Sequence, residues 1–178
     1  GSGNDVAGAI RNSSAQITAV EIDQKIAELG KKFHPEKPYD DNRVNLKITE
    51  AREFFSNTNE KFDLIIFGLL DSHTTVSLTN ARLDNFVYTE EALEQVKKLL
   101  KPNGISTLIF QVNHQFILNR IYKTLTKVFA TNPQIISIDS SDMGWGGTMF
   151  MVGDNNTFNN ALNKNQALND YIKNNSLL

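Results

Sequence analysis

Phe62-Asp63-Leu64-Ile65-Ile66-Phe67 is a nearly continuous apolar run with the length of a β-strand. Such runs are typical of strands that are buried on both faces of a parallel sheet. Ile105–Val112 is a second run of this kind. Between the two, Thr89–Leu100 shows helical apolar spacing with Thr89 as the predicted N-cap. This order of buried strand, helix and buried strand predicts an α/β fold.

The flanking sequence continues the alternation of strands and helices. Upstream, the pattern predicts a strand at Ile17–Glu21, a helix at Asp23–Lys32 with apolar spacing of Ile26, Leu29 and Phe33, a strand at Val44–Ile48 and a short helix at Glu50–Phe55. Downstream, it predicts a turn at Pro102-Asn103-Gly104, a helix at His114–Phe129 and a hairpin of Gln134–Ile138 with Thr148–Val152. The predicted fold class is therefore α/β, with a doubly wound, mostly parallel sheet and a C-terminal antiparallel hairpin.

The two ends of the chain differ from this pattern. Residues 1–153 are predicted to form one domain, whereas residues 154–178 are a polar, asparagine-rich tail that either forms a polar helix or stays loose. No apolar strand precedes Gly1-Ser2-Gly3. Two interpretations compete: these residues are a cloning remnant, or the fold begins after a first strand that is missing from the sequence.

The composition excludes several classes of function. The chain has 178 residues, 40% of them hydrophobic, and a net charge of −2. Without a basic surface we expect no nucleic-acid partner, and no apolar run is long enough to span a bilayer. The absence of cysteine excludes disulfides, thiol catalysis and cysteine–zinc sites. The three histidines are scattered, so no metal site is predicted. Because the net charge is close to zero, a small-molecule substrate is the expected partner.

The residues that follow the predicted strands are the candidates for ligand binding. Gly1 and Gly3 stand at a helix entrance, where a ligand can approach the backbone, although Val6 departs from the dinucleotide fingerprint and disfavours NAD. Glu21 ends a strand and either accepts the two hydroxyl protons of a ribose or is a solvated carboxylate.

Glu50 follows the next strand and either accepts from an adenine amine or favours the start of a helix by its charge. The backbone N–H of Ala51 is an equally good adenine contact. Asp23 is the predicted N-cap of the helix that follows Glu21.

The loop after Phe62–Phe67 begins at Gly68 and contains Asp71 and His73, the candidate general bases. Asp71 either acts in catalysis or caps the loop backbone, and His73 is either a base or a surface residue. The neighbouring Ser72 does not indicate a hydrolase, because adjacent residues do not form a triad and no Gly-x-Ser-x-Gly elbow is present.

Six motifs in order resemble the spermidine/spermine synthase superfamily, which has the Rossmann-like fold of class I S-adenosylmethionine-dependent methyltransferases. They are Gly-Ser-Gly-Asn-Asp-Val-Ala (1–7), Ala-Val-Glu-Ile-Asp (19–23), Glu-Ala-Arg-Glu-Phe-Phe (50–55), Lys-Phe-Asp-Leu-Ile-Ile (61–66), Tyr-Thr-Glu-Glu-Ala-Leu (88–93) and Leu-Lys-Pro-Asn-Gly (100–104). The stretch Leu70–Tyr88 is similar to a branch that is often fused behind a membrane-spanning region. The resemblance implies a cytoplasmic location. It also favours a native origin for Gly1-Ser2-Gly3, with the first strand of the fold upstream of them. If that strand is lost, a homo-oligomer is one way to supply or cover the exposed edges of the neighbouring strands.

The resemblance also implies a transferase that uses S-adenosylmethionine or decarboxylated S-adenosylmethionine and passes a methyl or aminopropyl group to a small acceptor. Asp71, and His73 beside it, would act on the acceptor. The implied ligand-binding set is Gly1, Gly3, Asp5, Glu21, Ile22, Glu50, Ala51 and Gly68.

Two departures from the family pattern bear on catalysis. Gly68 stands at the first position of the family's Asp-x-x-Asp, and Glu50 replaces the usual Asp. Asp139-Ser140-Ser141-Asp142 mimics the catalytic string, but its position between the last two strands predicts a turn. The alternative function is a non-catalytic module of the same fold that binds a nucleoside or a protein; an NAD-dependent oxidoreductase is a third, disfavoured by Val6.

Overall fold

A computed structural model of the chain describes residues 1–12, 16–68, 87–110, 112, 114–139 and 147–177. The chain divides into two compact units, Gly1–Thr58 and Asn59–Leu178. Each unit has its own sheet, formed by strands that alternate with helices. The alternation that the sequence predicts is therefore present in both.

The first unit is built on two parallel strands. Its elements are α1 (Asn4–Asn12), β1 (Ile17–Glu21), α2 (Gln24–Phe33), a short 3-10 helix (Pro38–Asp40), β2 (Val44–Ile48) and α3 (Ala51–Asn57). Ile17 lies opposite Val44 and Glu21 opposite Ile48, so both strands end at the same edge. Asp23 caps α2 as predicted, because its carboxylate accepts from the N–H groups of Lys25 at 2.7 Å and Ile26 at 3.4 Å.

Helix α2 does not bury the apolar stripe that its spacing indicates. Ile26, Leu29 and Phe33 are exposed, Phe33 to 66%, whereas Ala27 and Gly30 are buried. The inward face is the one with small side chains, since only these allow the helix to approach the backbone beside it. A β-carbon on Gly30 would lie 2.3 Å from the carbonyl oxygen of Ser2.

The second unit contains a four-stranded mixed sheet in the order β3-β4-β6-β5. Its elements are β3 (Phe62–Phe67), α4 (Glu90–Leu99), β4 (Leu100–Phe110), α5 (Gln115–Phe129), β5 (Gln134–Ile138), β6 (Gly147–Gly153), α6 (Asn155–Lys164) and α7 (Gln166–Asn175). The pair β3–β4 is parallel, and β6 is antiparallel to both β4 and β5, which confirms the predicted hairpin.

One face of this sheet carries the core of the second unit. Leu108 lies opposite Phe150, and Phe150 lies opposite Ile135; all three side chains are fully buried. Phe67 extends this layer, because it lies opposite Leu108 and is also buried. The buried residues of α4 and α5 complete the core: Ala92, Leu93, Val96, Leu99, Leu125, Val128 and Phe129.

Two details of the second unit correct the sequence prediction. The run Phe62–Phe67 is not buried on both faces, because Leu64 and Ile66, which lie on the same face of β3, are about half exposed. The predicted turn at Pro102-Asn103-Gly104 belongs to β4 as an irregularity: Phe62 lies opposite Leu100 but Leu64 lies opposite Ile105, so the extra residues bulge out of the ladder.

The asparagine-rich tail forms the two helices α6 and α7. Ile172 of α7 is buried, Ser176 forms an isolated bridge with Ile136, and the N–H of Leu177 donates to the carbonyl of Ile135 at 3.0 Å. Of the two alternatives for this segment, the helical one is therefore correct.

Candidate ligand-binding site

Four of the predicted ligand-binding residues lie together where β1 and β2 end. The N–H of Thr49 donates to the carbonyl of Glu21 at 3.0 Å, which holds the two strand ends side by side. Glu21 and Ile22 follow from β1, and Glu50 and Ala51 follow from β2. The carboxyl ends of parallel strands are where α/β sheets bind ligands.

The carboxylate of Glu21 is held in one orientation. One oxygen, Oε1, accepts from the N–H of Asp23 at 2.8 Å, and the other, Oε2, contacts the amino nitrogen of Gly1. The side chain is only 12% exposed. A carboxylate fixed in this way offers acceptor oxygens in one plane, which suits a pair of neighbouring hydroxyls.

Glu50 is the N-cap of α3. Its Oε2 accepts from the N–H of Glu53 at 3.0 Å, and Glu53 in turn accepts from the hydroxyl of Thr49 at 2.7 Å. The helix-favouring role is thus present, as a hydrogen bond rather than as charge alone. Ala51 is the first residue of α3, where the backbone N–H groups have no partner within the helix. Directly after β1, Ile22 exposes an apolar side chain.

The loop Gly1–Gly3 packs against α2 and the 3-10 helix. Gly3 has φ +108°, and a β-carbon on it would lie 2.7 Å from Pro38 Cγ, so only glycine fits. The hydroxyl of Tyr39 donates to the carbonyl of Gly1 at 2.6 Å. Asp5 lies in the first turn of α1 directly after this loop and is exposed.

Sequence reasoning missed the supports of this loop, which are Gly30, Tyr39 and His34. His34 Nδ1 accepts from the N–H of Glu36, so a neutral ring carries its proton on Nε2, which donates to Asn4 Oδ1 at 3.0 Å. A signal existed only for Gly30: glycine inside a helix costs about 1 kcal/mol relative to alanine, so its presence there indicates a packing reason.

The second unit carries the remaining candidates. Gly68 follows β3 directly, and Asp71 and His73 lie outside the described residues. Beside the end of β3, the ring of Tyr88 packs against Phe110 at 4.3 Å and Phe67 at 6.1 Å between centroids. The sequence analysis did not identify this aromatic cluster.

Two further properties concern the described residues only. Within them, no His, Asp and Glu side chains gather into a group of three that could hold a metal ion. Of the helices described, none combines the length and apolar character needed to cross a membrane.

A family model for the spermine/spermidine synthase domain matches residues 9–163. The chain belongs to this family. It is 32% identical over 182 residues to a polyamine aminopropyltransferase of Sulfolobus acidocaldarius, an alignment that covers 97% of this chain and 56% of the relative. The chain spans about half the length of the curated relatives that it matches.

Solved structures show the same fold as this spermine/spermidine synthase domain. Spermidine synthase from Thermotoga maritima matches with a TM-score of 0.67 at 17% identity, over 85% of this chain and 50% of that one. Human methyltransferase-like protein 13 in complex with SAH matches with a TM-score of 0.68 at 17% identity, over 97% of this chain and 78% of that one. The predicted Rossmann-like methyltransferase fold is therefore confirmed.

Proposed function

We propose that this chain forms the nucleoside-binding part of a polyamine aminopropyltransferase that uses decarboxylated S-adenosylmethionine. The observation that carries the proposal is the Glu21 carboxylate, held by the N–H of Asp23 at the end of β1 and next to the glycine loop. Family membership and the name of the Sulfolobus acidocaldarius relative support it.

The residues at the edge of the first unit fit an adenosyl group. Glu21 would accept from the ribose hydroxyls, and the exposed side chain of Ile22 offers an apolar surface for a flat base. Glu50 or the N–H of Ala51 would recognise the adenine amine or a ring nitrogen. Gly1, Gly3 and Asp5 would line the aminopropyl end. Gly68, after β3 in the second unit, stays a predicted contact of the ligand.

The ligand supplies an electrophilic carbon next to a positively charged sulfur. The acceptor amine would form a bond to that carbon while the carbon–sulfur bond breaks. The electron pair of that bond would stay on sulfur, so that methylthioadenosine leaves as a neutral thioether, and the amine would give up one proton. Asp71 would bind the acceptor and take this proton, with His73 as the second candidate base.

Calorimetry with four ligands tests the proposal: decarboxylated S-adenosylmethionine, S-adenosylmethionine, methylthioadenosine and NAD. We expect binding of the decarboxylated compound and of methylthioadenosine, weaker binding of S-adenosylmethionine and none of NAD. Preference for S-adenosylmethionine would indicate methyl transfer instead. Absence of binding by all four would overturn the proposed function.

The second candidate function is a nucleoside-binding or protein-binding module without catalysis. The observation that favours it is Gly68 in place of an acid directly after β3. The variant Asp71→Asn separates the two candidates when aminopropyl transfer to a diamine is followed by mass spectrometry. An enzyme keeps its ligand affinity and loses turnover in this variant, whereas a binding module shows no turnover with either protein.

The expected partner is a small-molecule acceptor. Three further properties stay predictions: the absence of nucleic-acid binding, a homo-oligomeric state and a cytoplasmic location.

A further inference from the structure

The backbone of the glycine loop rests directly on helix α2. Gly30 is buried, and a β-carbon built on it would lie 2.3 Å from the carbonyl oxygen and 2.9 Å from the Cα of Ser2. All the atoms in this contact are backbone atoms, which cannot rotate away as a flexible side chain would. Any larger residue at position 30 therefore has to displace Ser2, and with it the loop.

A second contact holds the same loop from the 3-10 helix. The side chain of Tyr39 is 9% exposed, and its hydroxyl donates to the carbonyl of Gly1 at 2.6 Å. Burial, together with the nearby charge of Asp5, raises the pKa of Tyr39, so the hydroxyl keeps its proton at neutral pH. The donor is therefore present wherever the protein is assayed near neutrality.

The two contacts act on adjacent peptide units. Gly30 sets how closely Ser2 approaches α2, and Tyr39 orients the carbonyl of Gly1. His34 adds a third contact at the start of α1, through Asn4. The direction of the loop's backbone groups is thus decided by residues outside the loop.

We propose that Gly30 and Tyr39 are positioning residues for the S-adenosyl ligand, which act through the Gly1–Gly3 loop that they hold. The inference rests on the function proposed above, because it requires that this loop bind the ligand. It assigns to α2 and the 3-10 helix a role in affinity that is separate from their role in folding.

The variant Gly30→Ala tests the packing contact, and Gly8→Ala is its matched control. Both replace a helical glycine with alanine, but among the described residues a β-carbon on Gly8 meets only the Arg11 guanidinium at 3.9 Å, an ordinary contact. We expect Gly30→Ala to weaken binding of methylthioadenosine by about tenfold or more, because the loop must move by roughly 1 Å to relieve the contact. Gly8→Ala should bind as the wild type does.

The variant Tyr39→Phe tests the hydrogen bond while it keeps the ring. We expect the Kd of methylthioadenosine to rise by about two- to tenfold, which is the range for loss of one neutral hydrogen bond. The KM for the S-adenosyl substrate should rise with it while kcat stays within about twofold, because the loop is repositioned without loss of a reacting group. A merely structural role would lower the melting temperature and leave the Kd of the folded protein unchanged.

The outcomes separate this inference from the proposed function. If the wild type binds methylthioadenosine and both Gly30→Ala and Tyr39→Phe bind it equally well, the positioning role is wrong and the proposed function stands. If the wild type does not bind, the proposed function fails and the inference fails with it. If Gly30→Ala does not fold, Tyr39→Phe decides alone.

Discussion

Replacing Glu21 with glutamine tests the ribose role at the level of single hydrogen-bond acceptors. In the wild type, Oε1 accepts from the N–H of Asp23 at 2.8 Å, whereas Oε2 is directed towards the glycine loop and contacts the amino nitrogen of Gly1. The glutamine carbonyl can keep the bond to Asp23, so its NH₂ group takes the place of Oε2. An acceptor becomes a donor there, so the contact with the amino nitrogen of Gly1 is lost and a ribose hydroxyl loses its charged partner.

The expected loss follows from one charge-assisted hydrogen bond, about 1.5–3 kcal/mol. At about 1.4 kcal/mol for each factor of ten, the Kd of methylthioadenosine should rise by about 10- to 150-fold. Calorimetry measures this change, and a thermal melt without ligand checks that the retained bond to Asp23 preserves the fold.

Glu28→Gln is the matched control for this substitution. Glu28 lies on α2, is exposed and pairs with Lys25 at 2.8 Å. Loss of this ion pair should leave ligand affinity unchanged, since exposed ion pairs contribute little to stability. A Glu21→Gln protein that binds methylthioadenosine as tightly as the wild type and Glu28→Gln do would refute the ribose role.

Two further predictions concern stability. Phe150→Ala should lower the free energy of unfolding of the second unit in urea by about 3–5 kcal/mol, because this side chain is fully buried. Phe116→Ala, at a position that is 67% exposed, should change this free energy by no more than about 0.5 kcal/mol. Equal effects of the two substitutions would contradict the assigned core. The Arg43 guanidinium, hydrogen-bonded to both oxygens of Asp41, lowers the pKa of that carboxyl to about 2. Its stabilising contribution is therefore present above the ordinary value of 3.8 and is lost as the pH falls through about 2, so melting temperatures of wild type and Asp41→Asn should converge at low pH; a constant difference across that range would show that the pair is not the cause.

Local chemistry was sufficient to predict the elements and their caps. Asp23 and Thr89 are short polar side chains placed before apolar helical spacing, and both accept from the first N–H groups of their helices. The hairpin of β5 and β6 was predictable for the same reason, since alternation and turn residues are properties of neighbouring positions.

Contacts between distant residues were not predictable in this way. The large apolar side chains of α2 form one stripe, yet the buried face holds Gly30, because the backbone of Ser2 lies too close for any side chain there. Helical spacing does not show which atoms lie across such an interface. The bond from Tyr39 to Gly1 joins residues far apart in the sequence, with no pattern that links them. At the candidate site the strand-end position located Glu21 and Glu50, but which backbone N–H each carboxylate accepts from depends on the turn after each strand.

The reversal of β6 in the second sheet has a consequence for how this domain can diversify. Because β3, β4 and β5 run in one direction and β6 in the other, the segments that leave β3, β4 and β5 all begin at the same edge of the sheet. The strand pairings that the structure describes lie outside the segments that follow β3, β4 and β5, so we expect insertions there to leave these pairings in place. We therefore expect that each of these three segments can be exchanged independently of the others while the buried layer of Leu108, Phe150 and Ile135 stays as it is.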